Sequence, residues 1–277
     1  MEWNDMKNNQ KAFFSLILLG FLLLPNVQQA QDMEVGLFGG VNYYIGDINP
    51  AKHFSQPEPA FGLIARYNPN TRWTFRASIT MGKLIGNDTI VKFNESRQLA
   101  FETRVNDFSL IAEFNFFDYF TGSKRDYVTP YIFGGVSVFS FNPKHPDGTD
   151  LQSIGTEGQQ DTDSNGNRLG PAPYNKFSFS IPFGIGVKYS LGKRVGLAVE
   201  WRIHKTFTDY LDDVSTTYAS LPVAKQEYAD PGGNFDAGMK RGDESTRDWY
   251  SYAGITLTYK FDLRGKQRCD NFNQTNH

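Results

Sequence analysis

The sequence predicts an all-β protein: an eight-stranded antiparallel β-barrel of the outer-membrane type, with long extracellular loops and short periplasmic turns. Three observations lead there. Segments such as 177–189 alternate strictly, with Phe177, Phe179, Ile181, Phe183, Ile185, Val187 and Tyr189 interleaved with Ser178, Ser180, Pro182, Gly184, Gly186 and Lys188. That is the period of a strand with one apolar and one polar face. These segments are long enough to cross a bilayer as tilted strands, and aromatics gather near their ends. The links between them also alternate between short and long, as periplasmic turns and extracellular loops do.

The elements follow in order. The first strand is expected at 34–46, with Val35, Leu37, Val41, Tyr43 and Ile45 on one face, and the second at 60–68, with Phe61, Leu63, Ala65 and Tyr67. The third, 72–82, presents Trp73, Phe75, Ala77, Ile79 and Met81; the fourth, 106–117, presents Phe108, Leu110, Ala112, Phe114 and Phe116. In the fifth, 129–141, Tyr131, Phe133, Phe139 and Phe141 share the apolar face. The sixth is 177–189, where Pro182 removes a ladder donor and marks a bulge. The seventh, 195–204, shows Val195, Leu197, Val199, Trp201 and Ile203; the eighth, 248–261, shows Trp249, Ile255, Leu257, Tyr259 and Phe261. The links 69–71 and 191–194 are short and 118–128 is moderate; 47–59, 83–105, 142–176 and 205–247 are long. The Gly-, Asn- and Asp-rich stretch 161–167 suggests mobility in those loops.

Alternation alone also fits a soluble barrel with an apolar interior. A water-exposed outer face would be crowded with Lys and Glu, whereas the polar faces here are rich in Gly and Ser. The mean hydropathy of −0.47 does not oppose a membrane barrel, because only every second strand residue meets lipid. A formal charge of −2 gives no case for nucleic-acid binding. Lys11, an apolar run over 12–24 and a short polar stretch ending at Ala30 read as a secretory signal peptide. The expected organisation is therefore 1–30 signal peptide, 31–263 transmembrane barrel and 264–277 polar periplasmic tail. The single cysteine, Cys269, forms no internal disulfide and is either free or paired with another chain.

Two constellations carry charge. Arg66, Arg72, Arg76 and Arg202 are placed to pair with Glu113 and Glu200 inside the lumen. An eight-stranded interior is filled by side chains, and buried charges must be paired. The network is a structural brace or, alternatively, a proton or ion path. Asp209, Asp212 and Asp213 cluster in one loop as a candidate calcium site, although the spacing is not that of an EF-hand; a solvated or helix-capping role is the alternative. No G-x-S-x-G turn, P-loop or zinc spacing occurs, so neither an enzyme, a cofactor nor a small-molecule substrate is expected.

The segments 34–47, 129–136, 182–184, 205–215, 248–250 and 254–256 resemble PorG-type proteins of Bacteroidota. The most specific block is Phe207-Thr208-Asp209-Tyr210-Leu211-Asp212-Asp213. The resemblance implies a non-enzymatic outer-membrane subunit of the type IX secretion system, used in protein secretion and gliding motility. Such a subunit links a periplasmic ring of PorK–PorN type to the outer membrane. The competing reading is a stand-alone OmpA-like or small-ligand-binding barrel.

Overall fold

The computed structural model describes residues 32–262. The signal peptide expected at 1–30, the tail at 264–277 and Cys269 lie outside the described residues. Nine strands follow one another: β1 (Asp32–Ile45), β2 (Glu58–Asn68), β3 (Trp73–Asn87), β4 (Ala100–Asn115), β5 (Val128–Ser140), β6 (Pro143–Lys144), β7 (Phe177–Ser190), β8 (Val195–Thr206) and β9 (Trp249–Asp262). Eight are long, at eleven to sixteen residues, and β6 is a two-residue extension paired to the start of β4. Each long strand pairs antiparallel with the next, and β1 with β9 closes the ring. Three short helices, α1 (Asp88–Val91), α2 (Leu151–Ile154) and α3 (Val223–Ala229), lie in the connections.

Asp32 and Asp262 are register partners, so both ends of the described chain meet at one end of the barrel. The connections 69–72, 116–127 and 191–194 share that end, here called the turn end. The connections 46–57, 88–99, 141–176 and 207–248 gather at the other, the loop end.

The two faces of the sheet decide between a soluble and a membrane barrel. Leu37, Phe61, Val136 and Phe179 are 62%, 67%, 63% and 67% exposed on the outside, while Arg76, Glu113 and Arg202 inside are at most 2% exposed. A contiguous apolar band of this extent is unsuited to water and suited to hydrocarbon.

Three expectations change. In β5 the aromatic residues Tyr131, Phe133 and Phe139 face the lumen, with Phe141 buried just beyond the strand, and Ile132, Val136 and Val138 face outward. A period of two identifies a face but not its direction, and here glycines on the facing strand make room for the rings. A Cβ on Gly186 would lie 2.6 Å from a Tyr131 ring carbon, and one on Gly184 2.7 Å from Phe133. Pro182 causes no bulge: the β5–β7 ladder skips the pairs opposite it and resumes in the same register, Gly134↔Phe183 and then Ser137↔Ser180. The loop expected at 83–105 shortens to 88–99, because β3 and β4 stay paired from Gly82↔Val105 to Asn87↔Ala100.

Candidate functional site

The alternation that turns apolar residues outward brings charges from β1, β2, β3, β4, β7 and β8 together in the lumen. Glu113 is their hub. Its carboxylate lies 3.0 Å from Arg76 Nε, 3.4 Å from Arg66 Nε and 2.6 Å from Lys188 Nζ. Arg66 also approaches Glu34 at 3.9 Å, and Arg76 pairs with Glu200. Glu200 Oε2 accepts the Tyr131 hydroxyl at 2.9 Å. Arg202 lies 3.9 Å from Glu200, donates to Ser78 Oγ at 3.2 Å and Thr80 Oγ1 at 3.0 Å, and sits 4.8 Å from the centre of the Tyr252 ring. Four cations thus meet three carboxylates, with hydroxyls and aromatic faces accommodating the surplus charge.

Arg72 does not join them. It lies in the turn before β3, about half exposed, where Nε pairs with Asp118 at 2.8 Å. It precedes the barrel wall, so strand parity does not govern its direction. Lys188 and Glu34 complete the network instead. Both sit at inward positions of the alternation, and their place in the cluster follows from barrel closure, which the linear pattern does not show.

At the turn end the connection 116–127 folds beneath the network. Thr121 Oγ1 donates to Glu34 Oε1 at 2.7 Å, and Tyr119 is buried beside it. Lys260 Nζ lies 4.0 Å from the centre of the Phe120 ring and 3.6 Å from Asp32. Nearer the loop end, Asp107, Ser180 and His204 meet, a set the sequence did not reveal. Ser180 Oγ and Asp107 Oδ2 both face His204 Nδ1, at 3.0 and 3.6 Å, so the ring does not relay between two nitrogens as a nucleophile–base–acid triad requires. The imidazole stacks on Tyr250, 4.4 Å between centroids, whose hydroxyl donates to Asp107 at 3.0 Å. This constellation is packing within a filled lumen.

The mouth at the loop end is stoppered by the block 207–213. Leu211 and the following Val214 are buried against Phe38, Tyr44, Ile48, Phe101, Phe139 and Tyr252. Phe207 remains exposed on the outer side, while Asp209, Asp212 and Asp213 are buried. The three carboxylates diverge, each to its own donors. Asp209 accepts the Ser215 hydroxyl at 2.7 Å, and Asp213 accepts the Thr156 hydroxyl and, at 2.6 Å, that of Tyr174. Asp212 accepts the Val214 amide at 2.9 Å and contacts Tyr44 Oη, which also lies 2.9 Å from Asp248. No group of three or more His, Cys, Asp or Glu side chains among the described residues is arranged to hold a metal ion. The clustered carboxylates that made a calcium candidate along the chain thus serve three separate anchoring roles in the fold.

The long connections pack on one another as a cap. Arg97 pairs with Asp88 at 2.8 Å and donates to the carbonyls of Asp47 and Arg241 at 2.9 and 2.8 Å, binding three connections together. Glu157 brings in the fourth: it accepts the amides of Ser215 and Thr216 at 2.8 and 3.0 Å and pairs with Arg241 at 3.2 Å. In 161–167, Asp163 accepts the amides of Asn165 and Asn167 and closes a turn. Burial pushes the Asp209 carboxyl up to about 7, against the Ser215 hydrogen bond. Burial likewise lifts Asp213 to about 6, with Arg241 pulling the other way. Asp212 and Asp248 are raised well above the usual carboxylate range by burial and by neighbouring carboxylates.

A closed eight-stranded antiparallel barrel, apolar outside and charged inside, is an outer-membrane β-barrel, and the outer membrane is where this protein resides. Over residues 10–270 the chain matches a family described as a domain of unknown function, DUF6089, and it belongs to that family. Among solved structures it is similar to Ail, the attachment invasion locus protein of Yersinia pestis, at 10% identity and a TM-score of 0.42, covering 84% of this chain and 100% of that one. Neisserial surface protein A is similar at 12% identity and a TM-score of 0.43, covering 83% and 97%. The Pseudomonas aeruginosa outer membrane protein OprG is similar at 13% identity and a TM-score of 0.40, covering 84% and 97%. No curated protein matches the sequence.

Proposed function

We propose that this protein is a non-enzymatic outer-membrane subunit of the type IX secretion system, a PorG-type barrel that links a periplasmic PorK–PorN ring to the membrane. In this reading the chain is exported by its N-terminal segment, the turn end faces the periplasm and the cap faces outside. The observation that carries the reading is the filled lumen: the charge network, the folded-in 116–127 segment and the 207–214 stopper occupy the space a pore or substrate site would need. A barrel so filled works through its ends. The resemblance at 34–47, 129–136 and 205–215 supplies the kind of machine.

The test is a mild-detergent pull-down of the tagged protein from outer membranes of its native cell, with mass spectrometry of what accompanies it. Recovery of a periplasmic ring containing a lipoprotein is the expected result. Recovery of the barrel alone from a well-solubilised preparation would refute the reading and favour a stand-alone or ligand-binding barrel.

A further inference from the structure

On the outer face of β3 and β4 the apolar band ends abruptly in a row of cations. Ile79 faces Phe108 across the ladder, and four residues nearer the loop end Lys83 faces Arg104. The β6 extension adds Lys144, paired in register with Glu102. These residues, with Asn142 and His145, line a cleft of about 470 Å³. Lys83 is neutralised by Glu102 at 3.1 Å, and His145 leans on Asp147 at 3.2 Å. Among the described residues Arg104 and Lys144 have no acidic partner in ion-pair range. Like charges directly opposite each other destabilise a sheet. Here Lys83 and Arg104 face each other, and Glu102 offsets only Lys83.

We propose that this cleft binds the phosphate of a phosphorylated membrane lipid, with the acyl chains lying along Ile79, Met81, Phe108 and Val138. The cations stand within two to four residues of that exposed apolar stripe, a distance of about 7–13 Å at strand rise. A lipid presents an anionic head and an apolar tail at this separation, and the bilayer supplies it at high local concentration. Long Lys and Arg side chains at the edge of hydrocarbon extend to headgroup level, where each favours anionic lipid. The assignment rests on the proposed sidedness only for which leaflet supplies the lipid.

The test uses the folded full-length barrel in a zwitterionic detergent, with retained lipid read by native mass spectrometry. The probes are phosphatidic acid, lipid A and its dephosphorylated form, phosphatidylcholine and inorganic phosphate. The protein should retain phosphatidic acid and lipid A over their uncharged or zwitterionic counterparts. The R104Q/K144Q variant should weaken that retention about tenfold or more, with heat-modifiable gel mobility unchanged. R72Q, which removes a cation at the opposite rim, should retain lipid as the unmodified protein does. Equal retention by R104Q/K144Q would overturn the proposal, as would equal retention of phosphatidylcholine. Binding of inorganic phosphate without lipid would assign the cleft to a soluble anion instead. Micelles present lipid to both rims, so failure here leaves sidedness untouched; sidedness is read separately, by protease accessibility in whole cells.

Discussion

Replacing Glu113 by Gln removes one negative charge from the centre of the lumen without changing its shape. Three cations lie within 3.4 Å of that carboxylate, and its side chain is 0% exposed. In E113Q, Arg66 keeps only the longer contact to Glu34, Arg76 keeps Glu200, and Lys188 keeps the neutral acceptors Asn115 at 2.9 Å and Thr74 at 3.3 Å. Removing one partner of a buried ion pair costs about 3–5 kcal/mol, because the other charge is left uncompensated. E113Q should therefore destabilise the folded barrel by roughly 3–5 kcal/mol. Adding K188M removes one stranded cation, and the double variant should recover about 1–3 kcal/mol of the loss. R72Q breaks only exposed contacts, the pair with Asp118 and the hydrogen bond to the Phe116 carbonyl, and should cost far less than E113Q. The assay is urea unfolding of the barrel folded into phospholipid vesicles, followed by tryptophan fluorescence. If E113Q loses less than about 1 kcal/mol, or no more than R72Q, the lumen network is not the brace described above.

Three further outcomes are expected. L211A should cost about 2–5 kcal/mol in docking of the stopper and expose 207–248 to protease while the strands stay folded; unchanged protease resistance would contradict the packing at the mouth. The cap should be more stable near pH 5 than near pH 8. Asp209 and Asp213 hold their protons to about 7 and about 6, whereas an unfolded Asp releases its proton near 4. Their contribution is full below the unfolded value and is lost as pH rises through the folded one, so the amide protection factors in 207–216, taken against the intrinsic exchange rate at each pH, should fall over that window. Protection factors that rise instead would reverse the assignment. In planar bilayers the barrel should give no stable open-state conductance, and a steady ohmic current would show the lumen to be passable.

Much of the barrel was legible in the sequence because each strand must alternate to satisfy lipid on one side and lumen on the other. That constraint marked eight strands and the inward residues Arg66, Arg76, Glu113, Glu200 and Arg202. It did not orient β5, which carries apolar residues on both faces; Tyr131 turns inward because Gly186 leaves space for its ring and Glu200 accepts its hydroxyl. Arg72 misled because it sits one residue outside the wall. The cap was the least legible part. Asp209, Asp212 and Asp213 resemble a ligand cluster along the chain, but neighbouring residues in a loop diverge once it packs. The distant partners that fix Asp213 and Asp212 are Thr156, Tyr174 and Tyr44. Arg97, Arg241 and Glu157, which bind the four connections together, carry no local motif at all.

In the proposed role the filled barrel acts through its turn end on a periplasmic partner. The most direct test of that role is site-specific photo-crosslinking in living cells. A photoreactive amino acid would be placed at Asn70, Lys124 and Lys193 on the turn end, and at Asn165, Lys240 and Glu244 on the cap. Adducts with a periplasmic ring protein are expected from the turn-end positions and none with it from the cap. Adducts to that protein from the cap, or none from any turn-end position, would contradict that role.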